Sequence, residues 1–339
     1  MTPDDSARID FVLRLRQRWA DRLYPALRRQ FERAPPGPLL QTLHGLPSYR
    51  WFAFLERNAQ KALWRTVSDA VGDEPPPTRG RNGPARLRLD PNLRLPDWYT
   101  GVDIHVQPGG VWSSAKAARV YELGAKLVML GANDDYAFHR LFVATGLPRR
   151  SYARIADLGC GFGKSTWPLK QAHPQAETIG LDLSAPCLDL AAQKCDAMGL
   201  EVDFRQTDCA ATGIESGSVD LVTATMLIHE LPPEHLAATI REAARILAPG
   251  GSLRILDFHP TGDAFRDLAM REHGERNNEP FMPMLFDADV LALCRAAGLV
   301  EARWVAFDER GGGRLPSLAW PQRPEWHFPW AILEAERPK

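Results

Sequence analysis

The sequence predicts an α/β protein, a mostly parallel seven-stranded sheet with helices on both faces, behind a mainly helical N-terminal region. After Pro148, short β-rich runs alternate with segments of helical periodicity, the texture of a sheet covered on both sides. Three glycines, Gly159, Gly161 and Gly163, fill the turn between the first such run and the helix after it. Before Pro148, apolar residues recur at helical rather than strand spacing.

In the front part, Ile9, Val12, Leu13, Leu15, Trp19, Leu23 and Leu27 among arginines predict an amphipathic helix from Ser6 to about Arg33, closed by Pro35-Pro36-Gly37-Pro38. A second helix is expected from Ser48, as its N-cap, towards Val71, with Trp51, Phe54, Leu55, Ala59, Leu63 and Trp64 on the apolar face. The Pro-, Gly- and Arg-rich stretch from Asp73, including Pro75-Pro76-Pro77, reads as an extended connector. Helices over Ser113–Leu130 and Asp134–Thr145 follow, broken at Gly131-Ala132-Asn133. The expected organisation is a helical region over 1–72, a connector over 73–112, a helical cap or lead-in over 113–149, and the sheet-bearing domain over 150–339. In that domain, strands are expected near Ala153–Leu158, Thr178–Asp182, Val202–Gln206, Val219–Ala224, Ser252–Asp257, Val300–Phe307 and Trp330–Ala335. Helices are expected over about Lys164–Ala172, Ala185–Met198, Pro233–Leu247 and Asp287–Ala297, and the last two strands form a long hairpin.

Composition narrows the function classes. With 45% hydrophobic and 24% charged residues in 339, the chain is ordinary for a globular protein and long enough for two domains. No apolar run approaches the ~20 residues of a membrane span, and the start lacks a basic segment followed by an apolar one, so a cytoplasmic protein without membrane contact is expected. Cys160, Cys187, Cys195, Cys209 and Cys294 are odd in number and contain no C-x-x-C pair, which fits neither a disulfide framework nor a metal module. Residues 1–100 hold 17 Lys+Arg against 11 Asp+Glu, leaving 24 against 31 for the remainder. These arginines are scattered over helical faces without interleaved recognition motifs, so a solvated surface is expected in place of a nucleic-acid partner.

The informative segment is Asp157-Leu158-Gly159-Cys160-Gly161-Phe162-Gly163-Lys164-Ser165. Glycines allow a tight turn and close backbone approach, and the next helix presents unpaired N–H groups, so the loop suits a ligand with an anionic group. A dinucleotide fingerprint needs G-x-G-x-x-G, and here Gly163 arrives one residue early. A P-loop needs a glycine five residues before Gly163, where Leu158 stands. Nineteen residues after Gly163, the apolar run Thr178–Leu181 closes on Asp182, an acid placed to accept from both hydroxyls of a ribose. Val202–Gln206 is followed in the same way by Asp208. Downstream come Val219–Leu231 and Arg245-Ile246-Leu247-Ala248-Pro249-Gly250-Gly251.

These segments together resemble the class I S-adenosylmethionine-dependent methyltransferases, closest to the small-molecule branch of ubiquinone and menaquinone biosynthesis. The likeness covers about 150–260 and does not touch 1–110. It implies a Rossmann-like domain binding S-adenosyl-L-methionine and releasing S-adenosyl-L-homocysteine. Carried over residue by residue, it assigns the cofactor to Asp157, Gly159, Cys160, Gly161 and Gly163 of the loop. It adds Asp182 and Leu183 after the second strand, Asp208 and Cys209 after the third, and Thr225 and Met226 after the fourth. The loop would wrap the amino-acid moiety, and Asp208 with the Cys209 N–H the adenine.

The reaction needs an acceptor lone pair aligned with the methyl group, and a hydroxyl acceptor needs its proton removed. His229, at the end of the fourth-strand segment, is the first expected base, with Glu230 beside it; His259, beyond the fifth strand, is the second. Substrate contacts are expected from Tyr99, His105 and Asn278. A small-molecule acceptor is expected, through oxygen or nitrogen in preference to carbon, in secondary or specialised metabolism, with the N-terminal helices as a lid or homodimer contact. Two alternatives stand beside it: an RNA or protein acceptor docked on the basic front, and a cofactor-binding protein without catalysis.

Overall fold

The computed structural model describes residues 1–73, 83–131 and 134–339. Pro75–Pro77 and the pair Ala132-Asn133 lie outside them. Helix α1 (Pro3–Arg18) opens on a capping box: Asp5 N donates to Thr2 Oγ1 at 3.2 Å, and Thr2 N donates to Asp5 Oδ2 at 2.8 Å. A π-turn over Trp19–Leu23 then joins it to α2 (Tyr24–Arg33), so the expected helix is continuous but locally widened. Pro25 accounts for the widening. It has no N–H for the carbonyl four residues back, and its ring would collide there; the wider turn, in which Tyr24 N donates to Trp19 O, absorbs the ring.

Next come α3 (Leu39–Gly45) and α4 (Pro47–Val71). Ser48 is not the N-cap of α4. Pro47 already occupies the first turn, where its missing N–H costs nothing, and the Ser48 hydroxyl donates to Gln30 instead. The buried face of α4 carries Tyr49, Phe52, Glu56, Ala59, Gln60, Leu63, Trp64 and Val67, whereas Trp51 and Phe54 are 65% and 55% exposed. Leu23 is also exposed. These aromatics lie on more than one side of the helix, so periodicity marked the helix without fixing which side is covered.

The chain continues through β1 (Arg86–Arg88), α5 (Asp97–Thr100), α6 (Ala115–Leu127) and α7 (Ala137–Gly146) to β2 (Arg154–Leu158), α8 (Thr166–Ala172) and β3 (Glu177–Asp182). It proceeds through α9 (Ala185–Ala197), β4 (Asp203–Gln206), β5 (Val219–Thr225), α10 (Pro233–Ile246) and β6 (Leu247–Phe258). The end comprises α11 (Ala264–Arg276), α12 (Met282–Asp287), α13 (Val290–Ala296), β7 (Val300–Asp308), β8 (Gly313–Arg314) and β9 (Trp330–Glu336). The described sheet has nine strands in the order β1-β4-β3-β2-β5-β6-β9-β7-β8. All seven expected strands are present. The additions are edge strands: the connector supplies β1, parallel to β4, and the long hairpin supplies β8, antiparallel to β7. Both are too short to stand out by alternation. Helices α11 and α12 also went unread in the sequence, α11 because charged and histidine residues interrupt its apolar spacing and α12 because six residues are too few to show a period.

Chain order reverses between β2 and β5, and a crevice opens at such a switch point beyond the strand ends. Apolar residues pack both sheet faces, and Trp19, Phe52, Phe142, Phe265, Phe307 and Trp330 share one core, so the N-terminal helices are built onto the sheet. Helix α4 is further held to α11 by a buried ion cluster in which His273 Nδ1 bonds Glu56 Oε1 at 2.5 Å and the Arg276 guanidinium donates to Glu56 Oε2. Burial pushes the Glu56 carboxyl up, but Arg276 and His273 outweigh it and hold it below the usual range.

Gly124 of α6 faces the fully buried Trp64 of α4, and a Cβ there would fall inside van der Waals contact with the indole ring. Gly124→Ala gains about 1 kcal/mol of helix propensity but overpacks the contact by about 1–3 kcal/mol. Urea unfolding followed by tryptophan fluorescence is expected to show a net loss of stability; an unchanged or higher midpoint would mean the two helices part at no cost.

Candidate active site

The first cavity, about 720 Å³, lies over the switch point. Its floor is the turn after β2. Gly159, Gly161 and Gly163 have φ of +64°, +53° and +87°, the left-handed region that favours glycine. A Cβ on Gly159 would strike Leu227, and one on Gly163 would strike Trp167 and Ala191. On Gly161 it would meet only Tyr121, at 3.5 Å. Gly161 is therefore the position where the loop backbone is open to a ligand.

Beneath this turn sits Asp157, fully buried. Its carboxylate accepts from Ser165 Oγ at 2.6 Å, Thr166 Oγ1 at 2.7 Å and Thr223 Oγ1 at 3.0 Å. Burial raises its pKa, and the three hydroxyls only partly oppose that. Asp157 braces the loop from below and does not line the cavity; neither does Cys160, whose side chain packs under the turn, nor Gly163. Of the expected cofactor residues, Gly159, Gly161, Asp182, Leu183, Asp208, Cys209, Thr225 and Met226 do line it.

Asp182 Oδ2 accepts from Gly161 N and Oδ1 from Ser184 N, both at 2.8 Å, which ties the acid to the glycine turn. Burial nevertheless lifts its pKa to about 6. Asp208 Oδ1 bonds His235 Nε2 at 2.7 Å, and the Trp98 ring packs tilted against that imidazole at 5.0 Å. The Thr225 hydroxyl is buried at the cavity wall with no hydrogen-bond partner among the described residues. An open glycine, an acid at a strand end and an unsatisfied hydroxyl fit a ligand with an amino-acid end and a ribose.

A second cavity, about 650 Å³, shares Tyr121, Lys164, Met226 and Glu230 with the first. Met226 stands at the junction with φ +56°, a conformation costing a non-glycine residue on the order of 1–3 kcal/mol. His229, buried, lines the second cavity. Its Nδ1–H donates to Asp257 Oδ1 at 2.7 Å, and Asp257 is itself oriented by Ile228 N and Phe258 N, each donating at 2.8 Å. With Nδ1 occupied, Nε2 is the remaining ring nitrogen, 3.7 Å from Glu230 Oε1. Burial lowers the His229 pKa, but the Asp257 carboxylate outweighs it and leaves it above the ordinary value.

The other expected residues fall differently. His259 lines neither cavity: its ring packs 5.0 Å from Trp304, and Nδ1 donates to Pro260 O at 2.7 Å. Tyr99 faces the first cavity and not the second. Asn278 lines neither, its amide donating to Asp103 O at 3.0 Å. His105 does line the second cavity, but Nε2 pairs with Glu230 at 3.2 Å and Nδ1 with Glu279 at 3.0 Å. Burial opposes its charge, yet the two carboxylates raise it to about 10, so it is an imidazolium that ties the connector to the site. Lys164, Tyr121, Arg16, Gln60, Trp64 and Glu279 also line the second cavity and were not foreseen. Only Lys164, inside the glycine motif, carried any sequence signal. No group of metal-ligating side chains occurs among the described residues, and no described helix is long and apolar enough to cross a membrane.

Residues 155–251 match a family model described as a methyltransferase domain. A demethylmenaquinone methyltransferase of Thermus thermophilus is 34% identical over 156 residues, 46% of this chain and 69% of that protein. One from Deinococcus radiodurans is 32% identical over 43% of this chain and 58% of its own length. A trans-aconitate 2-methyltransferase of Methylobacterium nodulans is 38% identical over 32% of this chain and 40% of its own. The chain belongs to the class I S-adenosylmethionine-dependent methyltransferases, in the branch that acts on small molecules. Its cofactor is S-adenosylmethionine.

Gly161→Ala is expected to fold with a loss of about 1 kcal/mol for its left-handed φ, yet to bind S-adenosylhomocysteine at least tenfold more weakly. Gly163→Ala, strained and clashing, is expected to lose about 3 kcal/mol of stability. Calorimetric titration and thermal unfolding of both variants check this; tight binding by the Gly161 variant would mean the ligand passes elsewhere.

Proposed function

We propose that this chain methylates a hydroxyl or amine of a small molecule held in the second cavity, in secondary or specialised metabolism, with His229 as general base. One observation carries the reading: a histidine oriented by a buried carboxylate lines the chamber that meets the glycine-loop cavity at Met226. The bound cofactor supplies an electrophilic methyl group on a sulfonium. For its binding, Gly161 and its neighbours would face the amino-acid moiety, Asp182 the ribose, and Asp208 with Cys209 the adenine. Thr225 offers a further polar contact.

His229 Nε2 takes the acceptor proton as the acceptor becomes nucleophilic, and Asp257 stabilises the resulting imidazolium. Tyr121, Met226 and the lid helices exclude water and hold the acceptor in line. The enclosing lid, formed by α1, α4 and α6, favours a small acceptor over RNA or a protein segment.

Because His229 must be neutral to accept a proton and its pKa is raised, the rate of transfer to a hydroxyl should climb with pH through a midpoint above 6.5. His229→Gln should remove that limb and lower turnover at least tenfold, with cofactor affinity unchanged within twofold. An identical pH profile in the variant would exclude His229 as the base.

Asp182 titrates near 6 in the ligand-free cavity, and its ionised form is the better acceptor for ribose hydroxyls. Affinity for S-adenosylhomocysteine should therefore be full above pH 7 and fall roughly tenfold by pH 5. Asp182→Asn should bind weakly at every pH. A pH-independent affinity in the native protein would separate Asp182 from the ribose.

A further inference from the structure

The charges around the second cavity are unevenly paired. His105 is paired with Glu230 and Glu279, and His273 with Glu56. Two cations form no direct ion pair among the described residues, and the carboxylates that act on them, Glu56 on Arg16 and Glu230 and Asp182 on Lys164, do so from farther away. Arg16 of α1 reaches the chamber from the lid; Nη1 donates to Gln60 Oε1 and Nη2 to Val128 O at 3.0 Å, both neutral acceptors. Lys164 enters from the glycine turn and donates to the Tyr121 hydroxyl at 2.9 Å.

The neutral polar groups show the same imbalance. Trp64 and Trp330 line the chamber, both almost fully buried, and neither indole N–H has an acceptor. An indole nitrogen can only donate, so two buried donors lack what they require. Burial also draws the Arg16 guanidinium down to about 10, and Glu56 opposes this only in part. Apolar walls from Tyr121, Met129, Phe258 and Phe328 complete the chamber.

We propose that the acceptor is an organic anion, an apolar or aromatic body bearing a carboxylate, and that Arg16 binds this carboxylate with the indole N–H groups of Trp64 and Trp330 as neutral donors. This rests on the second cavity being the acceptor site. A carboxylate accepts from a guanidinium in bidentate fashion and has lone pairs left for the indoles. It also gives Arg16 the direct ion pair that Gln60 and Val128 do not provide. Arg16 is then a specificity-determining residue contributed by the N-terminal lid, outside the matched methyltransferase domain.

The test uses the full chain saturated with S-adenosylhomocysteine and three probe acids, 4-hydroxybenzoate, 4-hydroxycinnamate and 1-hydroxy-2-naphthoate, each beside its methyl ester. Calorimetric titration should give at least one acid a tenfold tighter affinity than its ester. Arg16→Met should erase that preference, weakening the acid at least tenfold while leaving the ester within twofold, and Arg16→Lys should restore part of it. No acid preferred over its ester, including binding of neither, overturns the proposal, and that comparison needs no variant. An Arg16-dependent preference combined with turnover indifferent to His229 would overturn the assigned base and leave the anion site standing.

Discussion

The site depends on one buried carboxylate. Asp157, next to last in β2, has no exposed surface and gathers three hydroxyls, from Ser165 and Thr166 at the start of α8 and from Thr223 on β5. These bonds join the two strands that flank the switch point to the helix beyond the glycine turn. The turn itself, with three residues at positive φ, has few internal bonds, and it holds its shape because its ends are fixed. An acid buried this deeply is tolerable only because several donors converge on it. Such a group supports a site by precision of placement, without touching the ligand.

Much of this was legible beforehand. The seven strands follow from the alternation of apolar runs with helical segments, and the glycine spacing separated one ligand class from two others. What the sequence could not assign was direction. Asp157 and Asp182 both close an apolar run, yet one points under the loop and the other into the cavity, and only the turn between them decides which. His229 and His259 likewise follow successive strands; the first meets a buried carboxylate and the chamber, the second a backbone carbonyl and two tryptophans. Each sits just beyond an apolar strand, and the packing around the two differs.

The N-terminal region was least legible for a related reason. Its helices were visible by period, but their apolar residues point several ways, and the side that is covered includes Glu56 and Gln60. Those polar residues are buried because partners lie far away in the chain, Glu56 meeting His273 and Arg276. Long-range pairing of this kind leaves no trace in a window of ten or twenty residues. The same holds for His105, whose two carboxylates come from segments more than a hundred residues downstream.

The position of β9 sets a timetable for the folding chain. It lies between β6 and β7, antiparallel to both, although β6 ends at Phe258 and β9 begins only at Trp330. During synthesis at ~5–20 residues per second, roughly seventy residues must emerge before β6 gains this neighbour, an interval of about 4–14 s. Until then its outer row of N–H and C=O groups is an open edge on a newly made apolar strand, the kind of surface that recruits stray strands. A nascent chain of this design therefore passes through a window in which chaperone capture competes with aggregation, and slowing translation across residues 259–329 would lengthen it.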